Sequence, residues 1–323
     1  MRTSAEQIAA QASALGFPPD AMEKVARLLE LLDVFAGSPL LRRHLALKGG
    51  TALNLFLLDV PRLSVDIDLD LIGATTRPEL DALRPRVEAA LEAAFASEGL
   101  DVRRRPQAHA GGKWSLRYRS VFGQGGGLEV DLSTLHRVPL WDPVPMTCRL
   151  EVFSRHPTRL RDIHEIAAGK LAALLDRGAG RDLFDAHALL TAPGLDIGRL
   201  RVAFVVALAQ ARHDGRGLTP TDVQISEREL RARLLPLLRR DKVPGVKQVE
   251  SWIEDLVAGT RQALAAVLPL STPERDFLTA VQAAGQIRPE LLTADESLRE
   301  RMAMQPGLLW KVANVRQHLG LDD

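Results

Sequence analysis

Leu47-Lys48-Gly49-Gly50-Thr51-Ala52-Leu53 and, a few residues on, Arg62-Leu63-Ser64-Val65-Asp66-Ile67-Asp68-Leu69-Asp70-Leu71 decide the fold. From Ser64 onward apolar and polar residues alternate strictly. Val65, Ile67, Leu69 and Leu71 fall on one face, and Ser64, Asp66, Asp68 and Asp70 on the other. A period of two predicts a half-buried β-strand whose apolar face enters a core. The other face carries a column of carboxylates, which repel one another unless a cation or hydrogen-bond donors neutralise them. Hard oxygen ligands suit Mg²⁺. A sheet edge made acidic against aggregation would show the same pattern, but the upstream Gly49-Gly50-Thr51 turn favours a site. That turn lies between an apolar run at 45–47 and an expected helix over 52–58. Glycines let backbone approach a ligand closely, and a helix N-terminus offers unpaired N–H groups to an anion. The two features predict a phosphate cradle beside a metal site.

The chain has 323 residues, 46% of them hydrophobic, which suffices for two domains or one large one. A net charge of +1 singles out no class of partner. One cysteine, Cys148, excludes an internal disulfide and fits a reducing compartment. There is no apolar run of about 18 residues and no signal-peptide pattern, so a soluble cytoplasmic protein without a membrane partner is expected. The eight histidines have no metal-ligand spacing, so zinc is not expected.

Outward from the acidic strand, 3–36 reads as two helices separated by Gly16-Phe17-Pro18-Pro19, with capping patterns at Thr3/Glu6 and Asp20/Glu23. A helix over 77–98 contains Pro85. Strands follow at 113–119 and 128–133, joined by the glycine-rich turn 123–127 into a hairpin. Trp114, Leu116, Tyr118, Leu128, Val130 and Leu132 form its apolar face, and Lys113, Arg117, Arg119, Glu129 and Asp131 its polar face. Paired with the acidic strand, the hairpin brings Asp131 beside Asp66 and Asp68. The proline-rich, aperiodic stretch 135–160 predicts a junction, with domains at 1–150 and 151–323. Beyond it the chain reads as helical: 162–176, 181–190, 197–212, 227–239, 246–267, 273–284, 289–304 and 307–319. The class is therefore α+β, a small mixed sheet with flanking helices and a large helical C-terminal part.

Two features of that helical part carry chemistry. Lys170 lies mid-helix after Gly169; His164 and Leu171 stand where a P-loop needs glycine and Ser/Thr, which excludes that loop. Asp182 and Asp185, three apart at a helix start, share a face. A solvated lysine and helix-start acidity are the ordinary alternatives.

Together, Gly49-Gly50-Thr51, Arg62-x-Ser64-x-Asp66-x-Asp68, Asp131, Lys170 and Arg181-Asp182-Leu183-Phe184-Asp185 resemble the AbiEii/AbiGii toxins of the DNA polymerase β-type nucleotidyltransferase superfamily. Many members carry a basic residue two positions beyond the third carboxylate; here that residue is Ser133. The resemblance implies a metal-dependent toxin of a toxin–antitoxin system. Such a toxin moves a nucleotide from a nucleoside triphosphate to an RNA acceptor, the 3′ end of tRNA, and blocks translation beside a cognate antitoxin. It implies Mg²⁺ or Mn²⁺ held by Asp66, Asp68 and Asp131. It assigns nucleotide contacts to Gly49, Gly50, Thr51, Arg62, Ser64, Lys170, Asp182 and Asp185. The rival readings are a non-catalytic nucleotide or RNA sensor, and a transferase acting on a small molecule or a protein. Basic clusters at 103–105, at Lys113, Arg117 and Arg119, and along 228–242 suit a phosphate backbone.

Overall fold

A computed structural model describes residues 3–105, 111–123 and 125–321. The chain divides into two compact units. The first comprises Met1–Arg137, Asp142–Arg161 and Leu237–Val243; the second comprises Val138–Trp141, Asp162–Pro236 and Pro244–Asp323.

The first unit is built on a seven-stranded mixed sheet. Its strands are β1 (Leu45–Lys48), β2 (Asp66–Leu71), β3 (Asp101–Arg105), β4 (Gly111–Arg119), β5 (Gly125–Ser133), β6 (Val144–Met146) and β7 (Thr158–Leu160), in the order β3-β4-β5-β2-β1-β7-β6. The expected hairpin is β4–β5, and β5 pairs in parallel with β2. Of the glycine turn between them, Gln124 lies outside the described residues. Residues 151–161, expected in the helical part, stay with the first unit because β7 pairs with β1.

The apolar face of the sheet is covered by helices. The helices of this unit are α1 (Ala5–Leu15), α2 (Pro19–Gly37), α3 (Pro39–His44), α4 (Gly49–Ala52, continued by a π-helical turn, Leu53–Leu57) and α5 (Arg77–Ser97). Phe35 of α2 and Phe95 of α5 pack edge-on at 6.2 Å, and Phe95 meets Trp114 of β4 at 5.8 Å. Ile67, Leu69, Leu71, Val130 and Leu132 beneath them are at most 1% exposed. The α1 cap differs from expectation: Ser4 with Gln7 forms the box, one residue later than Thr3 with Glu6. Asp20 caps nothing, since α2 starts at Pro19. Glu23 is instead buried, accepting from the Ser120 hydroxyl and the Val121 N–H, and so ties α2 to the end of β4.

The second unit is helical: α6 (Ile163–Arg177), α7 (Gly180–Thr191), α8 (Ile197–Gln210), α9 (Glu227–Arg233), α10 (Val249–Leu264), α11 (Thr272–Ala284), α12 (Glu296–Ala303) and α13 (Pro306–Leu319). The helix expected over 227–239 stops at Arg233, ahead of Pro236, and the chain then returns to the first unit for Leu237–Val243. There Leu63 N–H donates to the Leu237 carbonyl and Arg239 N–H to the Pro61 carbonyl. No described helix is long and apolar enough to cross a membrane.

Candidate active site

The polar face of the sheet carries the acidic residues in rows. Directly opposed residues of neighbouring strands share a face. Lys48 of β1 stands opposite Asp68 of β2, Asp68 opposite Asp131 of β5, and Asp131 opposite Lys113 of β4. The adjacent row places Asp66 opposite Glu129, and Glu129 opposite Ser115. The juxtaposition of Asp131 with Asp66 and Asp68 is thus set by the parallel β2–β5 register. Alternation does the rest: Leu128, Val130 and Leu132 are at most 2% exposed, which turns Glu129 and Asp131 to the opposite face.

Cations border the acidic group. Lys113 Nζ lies 3.2 Å from Glu129 and 3.7 Å from Asp131, and Arg105 reaches Glu129 at 2.7 Å. Burial pulls the Lys113 ammonium down, but the hydrogen bond to Glu129 and the charges of Glu129 and Asp131 outweigh it and raise its pKa. The cation beside Asp131 comes from the neighbouring strand β4, as Lys113.

The glycine turn closes over this face. Gly49 has φ +73°, and a Cβ there would lie 2.3 Å from Asp68 Oδ2, so the Asp68 carboxylate rests against bare backbone. A Cβ on Gly50 would meet Ser64 Oγ at 2.8 Å and the Arg62 guanidinium at 3.1 Å. Thr51 is fully buried; its hydroxyl donates to the Asp66 carbonyl at 2.5 Å and lies 3.1 Å from Ser64 Oγ. Arg62, Ser64 and Thr51, expected to contact phosphate, make contacts within the turn. Arg62 is 2% exposed and donates to the Leu63 carbonyl. These three side chains hold the Gly49-Gly50 turn from beneath.

Asp70, the third carboxylate of the column, does different work. It is 1% exposed and receives Lys48 at 2.7 Å and Arg161 at 2.7 Å, with His136 Nδ1 at 3.5 Å. Burial would raise its pKa, but the Lys48 and Arg161 charges and the His136 contact hold it well below the usual carboxylate range. His136 is lowered by burial, only partly offset by Asp70. Lys48 thus links the buried Asp70 to the row of Asp68 and Asp131. Neither Arg161 nor His136 has a sequence signal; only the sheet brings positions so far apart in the chain to Asp70.

In the second unit, Lys170 of α6 is not a solvated lysine. Its ammonium lies 3.1 Å from Asp182 and 2.8 Å from Asp185 of α7, both at most 1% exposed. Arg177 also reaches Asp182, at 2.7 Å. The spacing of three puts both carboxylates on the α7 face that receives Lys170, as expected if they orient it.

The donor chemistry of Asp66, Asp68 and Asp131 fits a hard divalent cation. Among the described residues, however, no three His, Cys, Asp or Glu side chains converge tightly enough to hold one. Asp131 is matched to Lys113 instead.

The family model described as nucleotidyl transferase AbiEii toxin, type IV toxin–antitoxin system, matches residues 31–281. Among solved structures, the nucleotidyltransferase toxin MenT4 from Mycobacterium tuberculosis H37Rv is similar over 95% of this chain and 99% of its own, with a TM-score of 0.61. At 16% identity that likeness concerns the fold. No curated protein matches the chain.

Proposed function

The chain belongs to the AbiEii family of nucleotidyltransferase toxins of type IV toxin–antitoxin systems, and from that premise we propose that it transfers a nucleotide from a nucleoside triphosphate to RNA at the acidic face of the sheet. Membership makes it an enzyme and sets the non-catalytic sensor aside. The acceptor is the 3′ end of tRNA, the consequence a block of translation, and the setting the cytoplasm, where a cognate antitoxin restrains it.

The observation that carries this reading is Asp68, opposed by Asp131 in the ladder and covered by the bare backbone of Gly49. Asp66, Asp68 and Asp131 are the donors that would have to draw together to hold Mg²⁺ or Mn²⁺, which would supply charge neutralisation for the triphosphate and lower the pKa of the attacking hydroxyl. Asp131 accepts the proton of that hydroxyl as its oxygen attacks the α-phosphorus, the α–β anhydride bond breaks and pyrophosphate leaves; Lys113 lies beside Asp131. The N–H groups of Gly49 and Gly50 bind phosphate oxygens; Thr51, Ser64 and Arg62 keep that turn in place. In the second unit Lys170, oriented by Asp182 and Asp185, is proposed as a nucleotide contact in its own right. Phosphoryl-type transfer needs such positioning and charge neutralisation more than covalent help.

The test is to incubate the protein with each α-labelled triphosphate, Mg²⁺ or Mn²⁺, and total bacterial RNA. Label in the tRNA band, lost in Asp68→Asn, is the expected result. Label on a protein or small molecule, with none on RNA, overturns the acceptor assignment.

A further inference from the structure

We infer that the second unit carries a groove that binds single-stranded RNA, at the end formed by α8, α11 and α13. This rests on the RNA acceptor proposed above and adds where the strand is held. The groove has a volume of about 490 Å³, within the usual range for ligand sites. Its floor is built. Gln210 donates to the Val206 carbonyl and to Gln305, and Gln282 donates to the Leu208 carbonyl. Lys311 of α13 donates to the Ala211 carbonyl at the end of α8, at 2.9 Å.

On this floor stands Trp310, 63% exposed and the most exposed aromatic side chain among the described residues. An indole left in water on a short helix costs hydration without contributing to the core. Around it lie Arg212, Lys311, His318 and the amide of Asn314, and no acidic residue lines the groove among the described residues. Arg212 is exposed and has no carboxylate partner among the described residues, and Lys311 meets only a carbonyl. Among the described residues neither charge meets a carboxylate. Protein-docking surfaces are enriched in tryptophan and arginine but depleted of lysine, which Lys311 supplies here. An aromatic face with unneutralised cations and amide groups beside it is instead what a single strand needs: a base stacks on the ring while phosphates meet the cations.

The test measures anisotropy of a short fluorescein-labelled single-stranded oligoribonucleotide with the full chain, without triphosphate or divalent metal. Trp310→Ala is expected to weaken binding roughly tenfold, with Trp310→Phe retaining most of it, because stacking needs the ring and not the indole N–H. Arg212→Gln is expected to reduce the salt slope by about 0.7, the value for one single-strand phosphate contact. Since Trp310 is largely exposed, its variants should melt as wild type does. Wild-type affinity in both Trp310→Ala and Arg212→Gln overturns the proposal, and so does loss of antitoxin binding with RNA affinity unchanged. Failure of the RNA acceptor itself looks different: the wild-type protein then neither binds nor labels RNA, whereas failure of the groove alone leaves labelling intact and insensitive to Trp310.

Discussion

A methyl group at position 49 has no place to go. With φ at +73° and a Cβ 2.3 Å from Asp68 Oδ2, Gly49→Ala must strain the backbone by about 1–2 kcal/mol and displace the carboxylate. The expected outcome is a folded protein of slightly lower Tm whose transfer falls toward that of Asp68→Asn, checked by melting and by label transfer. Asp66→Asn and Asp68→Asn should abolish transfer and leave circular dichroism unchanged, because both side chains lie on the polar face; wild-type rates in both variants would remove the site. Asp131→Asn should lower transfer by about 10²–10⁴-fold and keep triphosphate binding, since Asp66, Asp68 and the glycine turn remain; full activity would move the role to Glu129. These residues were legible because strand alternation and a double glycine are local signals. The different fate of Asp70 was not, since its partners Lys48, Arg161 and His136 reach it only through strand pairing.

Elements decide which substitutions unfold the protein and which silence it. In β2, Ile67 is fully buried, so Ile67→Asp places an unpaired charge in the core and should unfold the first unit, seen as loss of the cooperative melt. Between α6 and α7, Lys170→Ala leaves the buried Asp182 and Asp185 without their shared cation. Breaking a buried pair costs about 3–5 kcal/mol; Arg177, still facing Asp182, keeps the loss toward the lower end. The variant should therefore lose stability to denaturant as well as triphosphate binding, and Lys170→Arg should recover more of the stability than of the binding. Unchanged stability in Lys170→Ala would mean that the ion pairs are not formed in solution. The helices themselves were legible from apolar spacing and caps. The pairing of Lys170 with buried carboxylates was not, because helical period fixes the face a residue occupies and not what that face packs against.

For the molecule as a whole, acid sensitivity and chain topology are the testable properties. His136 has a lowered pKa when folded, so the folded state binds its proton less readily than the unfolded chain does. Its contribution is present above the unfolded value of about 6.5 and declines as pH falls through the folded value. Asp70, also lowered, adds a contribution that is present above about pH 4 and fades only in stronger acid. Stability measured against pH should fall in the weakly acidic range, His136→Gln should flatten that fall, and Asp70→Asn should be less stable than wild type at neutral pH. Topology adds a further expectation. Because Leu237–Val243 completes the first unit, a fragment ending at residue 161 lacks the partners of Leu63, Pro61 and Asp59 and should melt well below the full chain.

What the sequence by itself determined is everything carried by short-range pattern. The alternation from Ser64 to Leu71 made the strand and faced its carboxylates away from the core, Gly49-Gly50 marked the close backbone approach, and caps and apolar spacing placed the helices. Tertiary structure alone decided the rest. It set the parallel register that opposes Asp68 to Asp131, the burial of Arg62 and Thr51 under the turn, the cation pair that neutralises Asp70, and the return of residues 237–243 to the first unit. The physical reason is common to all four: each depends on which distant segment supplies the partner for a buried or charged group, and a linear pattern holds no information about that partner's distance in space.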